Sequence, residues 1–140
     1  MTDRASDNLD LLRRCFDRIA DGDADGVVAL YTEDYLLELP YGSVEESVCI
    51  AGRATVRDYL VKTFSVLRFA VTIETVHPSA DPDLVIAEYT SEGKAVASGR
   101  RYANRYVGFW WFRDGLICRT REYLNPQAVE ATGLEPADFR

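Results

Sequence analysis

The chain has 140 residues, of which 47% are hydrophobic and 28% charged, and its formal net charge is -7. This length fits one domain over residues 1–140 with a real hydrophobic core. The acidic balance argues against nucleic acid or an anionic membrane surface as the main partner, because both require a basic face. No stretch approaches the roughly 20 apolar residues of a membrane span. The polar start MTDRASDNLD does not have the pattern of a signal peptide, so we expect a cytoplasmic protein.

The cysteines and the single histidine exclude several kinds of site. Cys15, Cys49 and Cys118 are odd in number and far apart, which predicts buried thiols in a reducing compartment rather than a disulfide framework. His77 is the only histidine, and no CxxC or HExxH spacing occurs, so we expect neither a metal site nor a Ser-His-Asp triad. The glycines form no Walker A or GxGxxG pattern, so we expect no nucleotide and no cofactor.

The first half of the chain predicts three helices and one strand. An amphipathic first helix ends before the DGDADG segment at 21–26, VVALY at 27–31 predicts a short second helix, and a third helix covers 53–67. YLLELPYG at 35–42 predicts a strand that Pro40 and Gly42 end, and SVEESVCIAG at 43–52 is an excursion with strand character at its end. The apolar positions at helical spacing are Leu9, Leu12, Cys15, Phe16 and Ile19 in the first helix and Val56, Leu60, Phe64 and Leu67 in the third.

The second half predicts four strands with turn signals between them. The runs are RFAVTIETV at 68–76, DLVIAEYTS at 83–91, RRYANRYVGFWWF at 100–112 and LICRTREYL at 116–124. A tight turn is predicted at Asp114-Gly115, and one helical turn after Pro126. Helices followed by a meander are typical of the α+β class. We therefore expect a cone-shaped, curved antiparallel sheet that three N-terminal helices wrap around a pocket.

Alternation along the last two strands places a carboxylate, Glu122, on a face that otherwise looks buried. Side chains of a strand point alternately to its two faces. A carboxylate in an aromatic pocket loses hydration, which raises its pKa toward the range useful for proton transfer. The alternative is that Arg119 or Arg121 pairs with Glu122 in an exposed ladder. The predicted inward set is Tyr102, Asn104, Tyr106, Gly108 and Trp110 on one strand and Cys118, Thr120, Glu122 and Leu124 on the other.

The opposite face of the same strands is too apolar to be left in water. It carries Val107, Phe109 and Trp111, so we interpret it as the interface of a homodimer.

Further candidate residues come from other elements. Tyr59 and Thr63 lie one turn apart on the third helix and share a face. Tyr59, Tyr102 and Asn104 are candidate donors to an oxyanion, and Glu88 is a second candidate carboxylate of the pocket. Glu38 points away from the pocket by strand parity, and His77 is interpreted as a turn residue.

Two stretches resemble a known superfamily. DGDADGVVALYTEDYLLELPYGS and GRRYANRYVGFWWFRDGLICRTREYLNP are similar to segments of the nuclear transport factor 2-like superfamily, in its SnoaL-like and ketosteroid-isomerase-like branch. The resemblance implies the cone-shaped fold over nearly the whole chain. The positions that match the isomerases' catalytic aspartate, tyrosine and second acid are Leu39, Cys15 and Gly108, so steroid isomerisation is not expected.

The second stretch is similar in motif to the phenazine-biosynthesis A/B proteins. That resemblance implies Glu122 as the general acid/base, Tyr102 as a pocket tyrosine and Thr63 in the place of a serine. Tyr59 stands where that family has a histidine and Val27 where it has an arginine. Since the groups that would hold an acidic ring are missing, the resemblance implies a less polar ligand.

Two functions stay open on this evidence. One is a cofactor-independent enzyme in which Glu122 and Tyr102 act on a small, largely apolar carbonyl or enol metabolite, by isomerisation, cyclisation, condensation or dehydration. Its substrate-binding residues would be Tyr59, Thr63, Asn104, Tyr106, Trp110 and Glu88. The other is a protein of the same fold that binds a small molecule without chemistry or serves as a dimeric scaffold.

Overall fold

The computed structural model describes residues 2–43 and 46–140 of the chain. Two helices come first, α1 at Asp3–Ala20 and α2 at Ala24–Val28, followed by strands β1 at Tyr31–Leu39 and β2 at Val48–Ala51. Helix α3 spans Arg53–Val66 and leads into β3 at Leu67–His77, β4 at Leu84–Ala95, β5 at Arg101–Arg113 and β6 at Leu116–Leu124. A short helix, α4 at Pro126–Glu130, and a 3₁₀ helix at Pro136–Phe139 follow.

The ends of the first two helices follow from their caps. The Thr2 side chain accepts a hydrogen bond from the Ala5 amide at the start of α1, and Asp23 accepts one from Gly26 at the start of α2. Such caps satisfy amides that have no partner inside the helix. The prediction that α2 continues to Tyr31 is wrong: it ends at Val28, and Tyr31 opens β1. Tyr31 and Tyr35 are both buried, and Tyr31 pairs with Ile117 of β6, so it belongs to the sheet and not to a helix.

The six strands form one curved, mixed sheet in the order β2-β1-β6-β5-β4-β3. Strands β3 to β6 form the predicted antiparallel meander. The prediction of an entirely antiparallel sheet needs one correction, because β1 pairs with β6 in parallel. The excursion predicted over 43–52 contains β2 at its end, while its residues 44 and 45 lie outside the described residues.

The turn between β5 and β6 confirms the prediction at Asp114-Gly115. Both residues have positive φ, 53° and 76°, as a two-residue hairpin turn of the favoured hand requires. The helical turn after Pro126 is also present as α4, capped by the Asn125 side chain.

The hydrophobic core lies between the inner face of the sheet and helices α1 and α3. The predicted apolar face of α1 is buried at Leu12, Cys15 and Phe16, and Val56 and Phe64 of α3 are buried beside it. The three cysteines are free thiols. The prediction that all three are buried is wrong for Cys49, which is exposed, while Cys118 is only half-buried.

No helix in the part of the chain that the structure describes has the length and apolar character needed to cross a membrane.

Candidate functional site

A cavity of about 430 Å³ lies inside the curved sheet. The inner faces of β5 and β6 form its floor, α3 forms one wall, and β1 forms another. The loop between β1 and β2 and the residues after β6 surround its mouth. Its size is in the range of sites for small organic ligands. Its lining includes aromatic and hydroxyl side chains and one carboxylate: Tyr31, Tyr35, Tyr59, Thr63, Tyr102, Tyr106, Trp110, Thr120 and Glu122.

Glu122 is the carboxylate at the floor of this cavity. It lies on β6 directly opposite Gly108 of β5, with Thr120 and Leu124 on the same inner face. The accessible part of its surface faces the cavity. Burial raises the pKa of Glu122 from its ordinary value of 4.5 to about 7, and a hydrogen bond from Tyr89 partly offsets this rise. A carboxyl group with such a pKa exists in both protonation states at neutral pH.

The other predicted pairing of Glu122 does not occur. Arg119 lies on the outer face of the sheet, where its Nε is 2.6 Å from Oε1 of Glu38, and Arg121 Nη2 is 3.5 Å from the same oxygen. Glu38 therefore points away from the cavity, as strand parity predicts. It forms ion pairs with Arg119 and Arg121, the two residues that the alternative interpretation paired with Glu122.

Tyr89 of β4 is the hydrogen-bond partner of Glu122. Its hydroxyl donates to Oε2 of Glu122 and accepts a hydrogen bond from Nε1 of Trp110 at 3.2 Å. The Tyr89 ring is almost fully buried and packs against Phe16 and Tyr106, with ring centroids 4.9 and 5.1 Å away. The sequence did not single out Tyr89, although it stands next to the proposed Glu88.

Gly108 explains how these three side chains fit together. A Cβ atom at this position would lie 2.1 Å from the Tyr89 hydroxyl oxygen and 2.6 Å from Nε1 of Trp110. A glycine within an aromatic strand is a sequence signal for such a close approach, and it could have pointed to a buried partner on β4.

Tyr102 belongs to a second group of hydroxyls on the cavity wall. Its hydroxyl lies 2.7 Å from that of Tyr106, which in turn lies 2.7 Å from Oγ of Ser91. Nδ2 of Asn104 donates to the Tyr102 oxygen at 2.9 Å, and Oδ1 of Asn104 accepts from the backbone amides of Arg105 and Asn125. These bonds hold Asn104 behind Tyr102. Asn104 does not line the cavity, so its position does not support the prediction that it contacts the ligand.

Helix α3 contributes Tyr59 and Thr63 to the cavity, as their spacing predicts. Burial raises the pKa of Tyr59 to about 12, so its hydroxyl keeps its proton at neutral pH. The Thr63 hydroxyl is buried, and it forms no hydrogen bond of ordinary geometry with any residue of 2–43 or 46–140, although Tyr59 lies nearby. An unpaired buried hydroxyl beside a cavity can bind a polar atom of a ligand.

Strand β1 contributes two tyrosines that the sequence did not indicate. Tyr31 and Tyr35 stack with ring centroids 3.8 Å apart, and both line the cavity. Tyr35 donates to Oγ1 of Thr120 at 2.7 Å, and the Tyr31 hydroxyl is 3.8 Å from Sγ of Cys15. Interpreting residues 27–31 as a helix hid Tyr31, and the irregular pairing of β1 with β6 between Tyr31 and Leu36 interrupts the alternation that would have indicated both tyrosines.

Two predicted inward residues are placed elsewhere by the structure. Glu88 is on the outer face of β4, where its Oε2 is 2.6 Å from Nε2 of His77 and half of each side chain is exposed. Its assignment to the pocket is wrong, because the alternation of β4 buries Ala87 and Tyr89 instead. His77 is the last residue of β3 and forms a hydrogen bond with Glu88, so it is a strand residue.

Cys118 is the second residue that was predicted to face the cavity and does not. Trp111 pairs with Arg119 but Phe112 pairs with Ile117, so β6 has one extra residue between them. This β-bulge reverses the alternation. Ile117 and Thr120 are therefore buried, and Cys118 does not line the cavity.

In the described ranges, no three His, Cys, Asp or Glu side chains come together as a metal site would require.

Comparison with known proteins places this geometry in a family. Residues 12–120 match the SnoaL-like domain. The uncharacterised protein YesE of Bacillus subtilis is 31% identical over 120 residues, covering 85% of this chain and 82% of that protein. An uncharacterised PhzA/B-like protein of Pseudomonas aeruginosa is 32% identical over 116 residues, covering 82% of each chain.

Solved structures agree with this assignment. The crystal structure of a Bacillus subtilis protein provisionally named an isomerase superposes with a TM-score of 0.86 at 28% identity, covering 94% of this chain and 96% of that one. That of a Xanthomonas campestris protein provisionally named a polyketide cyclase gives 0.79 at 25% identity, covering 92% and 98%. With its α+β architecture of the nuclear transport factor 2-like type, the chain belongs to the SnoaL-like family.

Proposed function

We propose that this protein is an acid/base enzyme in which Glu122 transfers a proton on a small, largely apolar carbonyl or enol metabolite. The observation that carries the proposal is a carboxyl group with a pKa of about 7 at the floor of a cavity. Two structural neighbours carry the provisional names isomerase and polyketide cyclase, and a proton transfer next to a carbonyl group would fit either name.

The cavity favours an uncharged ligand. Among its described lining residues, the one basic side chain is Arg140, which is exposed and paired with Glu46. The rest of the lining is mainly aliphatic and aromatic, and its polar side chains are uncharged hydroxyls and carboxylates, with Glu122 at the floor and Glu46 and Glu130 nearer the mouth. Desolvating an anionic ligand in such a site would cost free energy that no cation repays.

The proposed mechanism begins with removal of a proton from a carbon next to the carbonyl group. Glu122 accepts this proton, and negative charge develops on the carbonyl oxygen. Burial raises the pKa of both Tyr102 and Tyr59, so their hydroxyls stay protonated and able to donate to that oxygen. Glu122 then returns the proton to another carbon, which isomerises the substrate, or gives it to the alkoxide formed in a ring closure or to the oxygen that leaves as water in a dehydration.

Deuterium exchange tests the proton transfer without knowledge of the natural substrate. We would incubate the protein in D₂O with a panel of two-ring ketones, including 2-tetralone, and follow loss of the α-proton signals by NMR. For any ketone that shifts protein resonances on binding, the wild type should exchange about 10²–10⁴ times faster than Glu122→Gln. Equal exchange by the two proteins, with binding intact, would favour the non-catalytic binding function.

We also propose that the protein is a homodimer whose interface is the outer face of β5. Val107 is 36% exposed, and the rings of Phe109, Trp111 and Tyr123 form a continuous aromatic surface beside it. Arg119 and Arg121 lie over the Trp111 ring, at 4.9 and 5.5 Å, so basic groups border this surface. Phe109→Arg should halve the mass measured by sedimentation, while Val61→Arg on the exposed side of α3 should not. A wild-type protein that sediments as a monomer would contradict this proposal.

A further inference from the structure

Tyr89 and Trp110 lie behind Glu122 and are joined to it by hydrogen bonds. Trp110 was predicted to contact the ligand, and Tyr89 was not predicted to belong to the site. Both side chains are nearly inaccessible, with 3% and 1% of their surface exposed. Their polar atoms nevertheless form a continuous line from the indole nitrogen of Trp110 through the Tyr89 oxygen to Glu122.

The Tyr89 hydroxyl has one proton, and its direction is determined by the two neighbours. The indole N–H of Trp110 can only donate, so it occupies a lone pair of the Tyr89 oxygen. The Tyr89 proton is then directed to Oε2 of Glu122. The ring cannot easily turn away, because Phe16 and Tyr106 pack against it.

The two oxygens of Glu122 are consequently unequal. Oε2 accepts from Tyr89, whereas Oε1 has no hydrogen-bond partner in the part of the chain that the structure describes. Since Glu122 lines the cavity, Oε1 is the oxygen available to a ligand. We infer that Tyr89, held by Trp110, is a positioning residue that keeps Oε2 as an acceptor and presents Oε1 as the atom that exchanges protons with the substrate.

This arrangement works in both protonation states of Glu122. When the carboxyl group is ionised, Tyr89 stabilises the charge on Oε2. When it is protonated, Oε2 continues to accept from Tyr89 as the carbonyl oxygen, and the transferable proton is on Oε1. The inference rests on the proposed function for its consequence in catalysis, but the state of Glu122 can be measured in the absence of any substrate.

The other titratable groups around Glu122 are uncharged at neutral pH. Burial raises the pKa of each of them, and no arginine, lysine or histidine contributes to the pKa of Glu122. A change of that pKa on removal of the Tyr89 hydroxyl would therefore report the hydrogen bond and not a charge nearby. These groups are Cys15 on α1, Tyr35 on β1, Tyr59 on α3, Tyr89 on β4, and Tyr102 and Tyr106 on β5.

The experiment is a carbon-detected NMR titration of the Glu122 carboxyl group, with Glu122→Gln as the assignment control. Tyr89→Phe should raise the pKa of Glu122 by about one unit, because the ionised form loses a donor. Trp110→Phe should raise it by less, since Tyr89 remains. Tyr35→Phe is the matched control: it also removes a buried tyrosine hydroxyl from the wall, but that hydroxyl donates to Thr120, so the pKa of Glu122 should stay within experimental error.

A shift in Tyr89→Phe no larger than that in Tyr35→Phe overturns the inference. If Tyr89→Phe does not fold, Trp110→Phe against Tyr35→Phe decides it by the same criterion. With a ketone that exchanges, the higher pKa of Glu122 in Tyr89→Phe should also appear in the pH profile of the rate. Well below the pKa, a rise of one unit lowers the ionised fraction of Glu122, and with it the exchange rate, about tenfold relative to the wild type. A shifted pKa in a protein that exchanges no ketone would leave the positioning role standing and count against the proposed function alone.

Discussion

The inner and outer faces of the sheet shift the pKa of a carboxyl group in opposite directions, although the two groups, Glu122 and Glu38, lie on adjacent strands. Glu38 pairs in register with Arg121 of β6, and Glu122 is the next residue of that strand. The hydrogen bond from Arg119 holds the pKa of Glu38 below its ordinary value, whereas burial raises that of Glu122 to about 7. On two adjacent strands, one residue apart in register, the protein thus has a carboxylate that its arginines keep ionised at neutral pH and one that exchanges a proton there.

The tyrosines of the two faces should differ in the same way, and this is the largest effect that we expect. Tyr102→Phe removes a hydroxyl donor from the cavity wall and should lower the rate of ketone exchange by about 10²-fold or more. Tyr123→Phe removes a hydroxyl from the outer face and should leave the rate unchanged. Exchange rates of the two variants under identical conditions test the comparison, and equal losses would show that Tyr102 has no special role.

The pH dependence of stability should distinguish the two carboxylates. The pKa of Glu122 is raised in the folded state, so its stabilising contribution is complete below the unfolded value of 4.5 and is lost as the pH rises through about 7. The loss is on the order of 3 kcal/mol in the free energy of unfolding. Urea unfolding at pH 5 and pH 8 should show this loss in the wild type and not in Glu122→Gln.

Glu38 should show the opposite sign, in a lower pH range. Its pKa is lowered in the folded state, so its contribution is present above the ordinary value of 4.5 and is lost as the pH falls. Glu38→Gln should therefore keep the alkaline loss caused by Glu122. If that variant lost the alkaline dependence instead, the assignment of the two carboxylates would be reversed.

The space around Glu122 should be sensitive to a single methyl group. Gly108→Ala introduces a Cβ that overlaps the Tyr89 hydroxyl, so we expect a destabilisation of about 1–3 kcal/mol. Ala103→Ser, on the exposed side of the same strand, should change the free energy of unfolding by less than about 0.5 kcal/mol. Denaturant titration of both proteins measures the difference, and a Gly108→Ala protein as stable as Ala103→Ser would contradict the crowding described here.

The smallest effect is expected at the Glu88–His77 pair. Half of each side chain is exposed, and pairs of this kind contribute about 0–1 kcal/mol. Glu88→Gln should leave the rate of ketone exchange unchanged and alter the free energy of unfolding within that range. The change in free energy should be smaller at high salt, which screens exposed charges. A large loss of exchange activity in Glu88→Gln would place this carboxylate in the mechanism, against its position on the outer face.

Local patterns were sufficient to predict much of this molecule. Alternation in β5 correctly placed Tyr102, Tyr106 and Trp110 on the inner face, and the same reasoning placed Glu122 at the cavity and Glu38 away from it. These strands have one buried and one exposed face, so their side-chain period is visible in the sequence.

The errors arose where a distant contact decides the local structure. The bulge at Cys118 depends on how β6 pairs with β5, and the parallel pairing of β1 joins segments far apart in the chain. Tyr89 is identified as a site residue only by its contact with Glu122, which comes from another strand. Glu88 was chosen instead because its charge, and not the parity of β4, suggested chemistry.

The pKa of Glu122 in the wild-type protein tests the central claim most directly. We would titrate its carboxyl resonance by NMR between pH 4 and pH 9, with the signal identified by its absence in Glu122→Gln. The account predicts a midpoint near the value of about 7 that burial produces. A midpoint at or below 4.5, the ordinary value, would show a solvated or ion-paired group and would contradict the assignment of Glu122 as the residue that transfers the proton.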